Sequence, residues 1–476
     1  MRTLNALTIG LAGLLAVALT VGGCDSFVDK APISNPTKEQ FYSTPADFET
    51  ALNGAYGALQ QQGTFSRNFW VLFEMRSDNT DQGPDQTGLA RSLFLINQFQ
   101  ETTTNGVVQQ TWLDAYDGIE RCNVILDNTD NLSDSDLQGQ VRGEALFLRS
   151  LLYYHLAVGF GNVSLRTTAT TGPDDAATAT SQVPAEEVYT QIAGDLETAQ
   201  DLLPNRSELS AGEIGTATSG AANALLGKVY LTLGQPSDAE TALRRVVQSN
   251  EYRLLGNYGD LWGPDNENNA ESIFEVQYTA GGSGEGSPFT NTFSPSAVLQ
   301  TGEGLAENRP TPSLVDAYAD GGERLAASVD TTYQDEEGET VNARYITKFE
   351  SDPFANFDAE NNWVVLRYAD VLLMLAEAIG PSGEAWDLID EVRNRAGLAD
   401  VQRSDFYETL LAERRVELAF ENHRWPDLKR FNQYISGVAE DRLGVEVSDL
   451  SGFNLLYPIP QREVDVADLT QNDGYD

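Results

Sequence analysis

The feature that most narrows the choice of fold is the spacing of residues 221–250. Gly227, Tyr230, Ala239, Leu243 and Val246 fall where a helix-turn-helix repeat of about 34 residues reserves places for small, aromatic, small, large and apolar side chains. Small residues at two of those places let paired helices approach closely, and Gly234-Gln235-Pro236 supplies the turn between them.

One such unit cannot bury its own apolar face, so neighbours must stack on it. Residues 108–126 with 137–158, and 367–379 with 383–396, carry the helical spacing of such neighbours. Further helices are predicted over 44–59, opened by Thr44 and Pro45, and over 185–203. The fold class is therefore mostly α: tetratricopeptide-like helix pairs stacked into a superhelix. Residues 257–366 break the pattern, being rich in Gly, Asn and Pro, with short β-like runs at 272–278 and 344–349. A loop-rich, partly β insertion on a helical frame is where binding residues usually sit.

Asp and Glu number 72 against 30 Lys and Arg, a formal net charge of −42. Such a field repels phosphate and argues against nucleic acid as a partner. The carboxylates are spread along the chain, which reads as a solvated acidic surface more than as one acidic binding face. Only Cys24 and Cys122 are present.

Cys24 ends a leader of distinctive make-up. Met1-Arg2-Thr3 is weakly basic, residues 4–21 are apolar, and Gly22-Gly23 lead directly into the cysteine. That is the pattern of a bacterial lipoprotein signal, removed before Cys24 so that the acylated thiol moors the body to a membrane. The alternative is a transmembrane anchor, because the run approaches the roughly 18 residues that a span needs. A polar tether follows over 25–37.

Catalytic machinery is scarce. His155 and His423 are the two histidines, neither close in sequence to a cysteine or to the other, and both read as structural. The glycines at 281, 282, 284 and 286 lack the following helix that a phosphate loop needs. No catalytic residue, metal ligand or cofactor is assigned, although a glycosidase-like carboxylate pair stays open among so many acids.

The C-terminal third carries long motifs. Leu366-Arg367-Tyr368-Ala369-Asp370, then Val392-Arg393-Asn394-Arg395-Ala396-Gly397, then Glu413-Arg414-Arg415-Val416-Glu417 running on to Glu421-Asn422-His423-Arg424-Trp425-Pro426-Asp427, and finally Pro458-Ile459-Pro460, resemble in order the signature segments of the SusD/RagB family. Cys24-Asp25-Ser26-Phe27 and Gly143-Glu144-Ala145-Leu146 are similar to family segments as well. The resemblance implies a cell-surface, outer-membrane lipoprotein on four tetratricopeptide-like helix pairs. It further implies capture of a glycan or other nutrient, without cleavage, and delivery to a SusC-like TonB-dependent transporter. Asn422 and Pro426 depart from the Gly and aromatic residue often found there, and the stretch 377–385 is short. On this basis the chain divides into the leader, 1–23, an N-terminal helical-repeat region, 24–256, and a C-terminal region with the insertion and final helix pair, 257–476. A polysaccharide hydrolase and a ligand-free repeat scaffold remain alternatives.

Sugar binders set aromatic faces against pyranose rings and flank them with planar polar groups. Of the six tryptophans, five lie in helical or boundary segments that read as core. Trp70 differs, because it precedes the polar cluster at 74–81. Trp70 is thus the expected stacking platform, with Arg76, Asp78 and Asn79 as hydroxyl partners; the competing reading is a buried Glu74 and Arg76 ion pair with Asp78 capping a turn. Phe289 and Phe293 are second-choice platforms.

Overall fold

Short polar residues start the helices where the sequence predicts starts. The computed structural model describes residues 41–83, 87–172, 181–318, 322–335, 337–447, 450, 452–467 and 469–475. The leader, Cys24 and the tether lie outside the described residues, as do 173–180 of a polar loop.

Helix α1 (Pro45–Gly57) opens where the Asp47 carboxylate accepts from the Thr44 backbone N–H at 2.7 Å and from its hydroxyl at 2.8 Å. Asn105 caps α2 (Gly106–Asn128) by accepting from Val107 N, and Asp134 caps α3 (Ser135–Phe160) by accepting from Asp136 N. Then come α4 (Ala185–Leu202), α5 (Ser219–Thr232) and α6 (Pro236–Ser249). After the insertion, α7 (Tyr368–Ile379), α8 (Gly383–Arg395), α9 (Phe406–Glu417) and α10 (Arg424–Phe431) complete the frame.

From α2 to α8 each helix packs on its predecessor and its successor, including α6 on α7 across the whole insertion. That is the stacked-repeat arrangement the periodicity predicts. Within the repeat, a Cβ on Gly227 would lie 2.5 Å from Leu243 Cγ, so glycine there sets how closely α5 and α6 approach. Gly234 turns the chain between them at φ 69°.

The insertion contributes strands β1 (Ser272–Val276), β2 (Val329–Gln334), β3 (Thr340–Ile346) and β4 (Trp363–Arg367). β1 pairs antiparallel with β4, and β2 with β3. The strand over Trp363–Arg367 is a correction to the sequence reading, which placed Trp363 merely before a helix. Fully buried strands show no alternation, so its apolar run merges with that of α7.

The interior is unusually charged. Among the described residues ten basic side chains are buried, beside fourteen acidic ones. Arg367, at the start of α7, reaches Glu417 at 2.5 Å, Glu421 at 2.7 Å and Glu271 at 2.9 Å. Arg395 pairs with Glu271 and Glu417, Arg324 with Glu413 and Glu417, and Lys348 with Glu421. A second lattice joins Asp370 to Lys228 and Arg414, and Asp427 to Arg414 and Arg430, with Arg430 also on Glu377. Burial alone would raise the Asp370 carboxyl; the neighbouring cations hold it well below the usual range. Asn422 has φ 67°, a left-handed conformation that glycine or asparagine adopts most readily, which accounts for the exchange of one for the other there.

Glu144 on α3 is buried without a cation. It accepts from Tyr56 Oη of α1 at 2.7 Å and from Gln140 Nε2 at 3.2 Å. Burial pushes its carboxyl up to about 7, against the lowering by those hydrogen bonds. A raised acid contributes stability that is complete below the unfolded value of 4.5 and is lost as pH rises through about 7. Glu144→Gln, which keeps an acceptor for Tyr56, is therefore expected to exceed the parent by roughly 1–3 kcal/mol at about pH 9 and to match it at about pH 4. Melting curves at the two pH values check this.

Candidate functional site: an aromatic surface on three joined loops

The four residues expected to meet a ligand are all interior, and the sequence reading is corrected on each. Trp70 is 0% exposed, at the end of Asn68–Trp70, where the helix continues as a π-turn over Val71–Met75. Its ring meets Phe293 edge-on at 5.3 Å. The Arg76 guanidinium is enclosed by Tyr457, Phe99 and Trp425 at 4.1, 4.4 and 5.3 Å and pairs with Glu101 at 2.5 Å. Its ionic partner is thus Glu101, not Glu74. Asp78 takes a two-pronged pair from Arg424 at 2.7 and 2.8 Å. Burial works to raise Asp78, and Arg424 with Arg415 overcomes it, leaving the carboxyl at about 2. Asn79 donates to Glu74 at 2.8 Å and accepts from Arg415 at 2.9 Å. Asp78 and Asn79 tie the N-terminal region to α10 and α9, and Arg76 is enclosed on Glu101 and the Asn454 carbonyl, so all three are withdrawn from solvent.

Phe289 and Phe293 are buried too, in a cluster with Phe349 and Trp363, whose rings stack at 4.8 Å and 9°. Both histidines are interior. His155 stacks on Phe69 at 4.3 Å, and burial holds it down to about 3; His423 faces Lys228 and is held down to about 4, by burial first and Lys228 second. Among the described residues, no group of three or more His, Cys, Asp or Glu is placed to hold a metal ion, and no helix is long and apolar enough to cross a membrane.

Above the Phe289 cluster lies a different surface. Three loops, at 280–286, 300–308 and 350–361, are fastened to one another by side chains that accept backbone N–H groups. Asp358 accepts from Gly282 N at 2.7 Å and Gly281 N at 3.2 Å. Asn356 Oδ1 accepts from Glu303 N at 2.7 Å. The buried Asn291 accepts from Phe357 N at 2.9 Å, donates to Glu303 O at 3.0 Å, and takes Leu305 N on its own carbonyl at 2.8 Å. Glycine is required at 302, where φ is 88° and a Cβ would lie 2.0 Å from Asn356 Oδ1.

On this fastened base stand Phe354, 66% exposed, Phe357, 40% exposed, and Leu305, 48% exposed. Among the described residues no other aromatic side chain is exposed to that degree. Neither phenylalanine is among the residues expected from sequence to meet a ligand. The available signal was an aromatic pair in Asp352-Pro353-Phe354-Ala355-Asn356-Phe357-Asp358, where turn residues leave no helical or strand period to bury the rings.

Two family models match the chain: "SusD family" over residues 326–475, and "Starch-binding associating with outer membrane" over residues 26–231. The SusD-like protein P2 of Formosa agariphila is 28% identical over 460 residues, 87% of this chain and 89% of that relative. The chain belongs to the SusD family. The starch-binding protein SusD of Bacteroides thetaiotaomicron is 25% identical over 260 residues, 46% of this chain and 44% of that one. A solved laminarin-binding SusD-like protein superimposes with a TM-score of 0.79 at 29% identity, covering 90% of this chain and 99% of its own. A SusD superfamily protein from Bacteroides vulgatus superimposes with a TM-score of 0.76 at 26% identity, covering 91% and 100%. The motifs through which the SusD family resemblance was legible supply Arg367, Arg395, Glu417 and Glu421 to the buried ionic lattice and Arg424 to the buried pair with Asp78.

Proposed function

We propose that this SusD family protein is an outer-membrane lipoprotein, acylated at Cys24, that captures a glycan at the cell surface and passes it to a SusC-like TonB-dependent transporter. Binding, not cleavage, is its activity. The observation that carries the reading is the pair of solvent-open rings, Phe354 and Phe357, on loops fixed by Asp358, Asn356 and Asn291. Rings carried on loops already joined by hydrogen bonds stack on pyranose faces at a reduced entropic cost. The starch-binding and laminarin-binding relatives support the same class of ligand. Tethering beside a pore raises the local concentration of captured ligand there, which is the use of an anchor for a non-catalytic protein.

The test is a double variant, Phe354→Ala with Phe357→Ala, run against the parent on native gels containing polysaccharides. Retention of the bound polymer is expected to weaken by about tenfold or more, with melting unchanged because both rings are exposed. Unchanged retention removes the site. New reducing ends in the polymer would favour the hydrolase alternative. Purification from detergent-solubilised outer membranes is expected to bring down a β-barrel partner, and its absence would favour a role apart from import.

A further inference from the structure

The loops that present Phe354 and Phe357 carry charge of one sign only. Residues 279–308 and 349–366 contain no lysine, arginine or histidine, yet they hold Glu285, Glu303, Glu307, Glu350, Asp352, Asp358 and Glu360. Cations at the borders of these segments are already engaged. Lys348 pairs inward with Glu421 at 2.7 Å, Arg309 with Asp81 at 2.6 Å, and Arg367 with its three glutamates. Arg67 is half-buried near Glu307, whose charge opposes only in part the lowering of the guanidinium by burial. Glu303 and Asp352 are exposed beside the rings, each within three residues of Leu305 or Phe354.

Sulfate and uronate groups are bound most strongly by guanidinium or ammonium donors, which pair with them in two-pronged or point-charge geometry. The loops that carry the rings supply none. A polyanion lying on Phe354 and Phe357 would set its charges against the exposed carboxylates of Glu303 and Asp352, and like charges brought together across an interface suppress binding. Sugar hydroxyls fare oppositely, because carboxylate oxygens accept from them. Resting on the glycan-binding reading above, we infer that the ligand at the Phe354 and Phe357 surface is an uncharged polysaccharide, and that the flanking carboxylates exclude sulfated and uronate polymers.

The experiment uses the full mature chain on native gels, with laminarin, starch and a mannan as neutral probes and alginate and carrageenan as anionic ones. Retention by at least one neutral polymer and by neither anionic one is expected. The variant Glu303→Lys with Asp352→Lys, both at exposed positions, is expected to bind alginate at least about tenfold more tightly than the parent. Retention of alginate or carrageenan by the parent that vanishes in the Phe354→Ala, Phe357→Ala variant overturns the inference and leaves the site standing. A folded parent that retains no polymer of either class overturns the reading on which the inference rests.

Discussion

Arg367→Met is expected to abolish cooperative folding. Arg367, Arg395, Arg324 and Lys348, with Arg393 at the rim on Glu413, meet Glu271, Glu413, Glu417 and Glu421 in one lattice, so deleting Arg367 leaves buried carboxylates of Glu271, Glu417 and Glu421 short of a cation. Arg367 also donates to the Glu417 carbonyl at 2.5 Å, which fixes the end of α9 against the start of α7. Breaking a buried pair by removing one partner costs about 3–5 kcal/mol, and this side chain serves three carboxylates. Against a typical total of about 5–15 kcal/mol, the loss takes most of the margin. Circular dichroism melts give the readout: a broad, non-sigmoidal curve is expected, and a melt that overlays the parent's would mean the lattice contributes nothing. Arg367→Lys is expected to recover only part of the loss, because one ammonium cannot reproduce a planar fork that spans Glu271, Glu417 and Glu421.

Trp70→Ala is expected to cost about 3–5 kcal/mol of stability while sparing polysaccharide retention in whatever protein folds. The indole is fully enclosed and packs edge-on against Phe293, beneath the loops that carry the exposed rings, so its removal opens a cavity in the core. Chemical denaturation measures the loss, and native gels of the folded fraction measure retention. The expected pattern is the reverse of that for Phe354→Ala with Phe357→Ala. Lost retention with intact stability in the Trp70 variant would restore Trp70 to a binding role.

The helical frame was legible because its signals are local. Thr44 before Pro45 and Gly234 between α5 and α6 each act within a few residues, and the fit of Gly227 beneath Leu243 follows from spacing inside one repeat. The site was not legible for the opposite reason. Asp78 meets Arg424 across 346 positions of sequence, and Asn79 meets Arg415 across 336, so a polar cluster that reads as a hydrated surface is in fact sewn to the far end of the chain. Trp70 misled likewise, since what covers it is Phe293 of the insertion. Phe354 and Phe357 were within reach of sequence reasoning. Their exposure follows from the turn residues around them, with Phe357 itself at φ 57°.

The sorting of cations inward has a consequence for how the molecule responds to its medium. Among the described residues the buried cations and carboxylates nearly balance, ten against fourteen, so most of the carboxylate excess behind the formal net charge of −42 faces outward. Dissolved ions act on those two populations unequally. They weaken repulsion between outward carboxylates, whose fields run through solvent over a Debye length of about 8–10 Å, and scarcely reach the enclosed arginines. Rising ionic strength therefore favours the folded chain, the reverse of the behaviour of a protein held together by surface ion pairs.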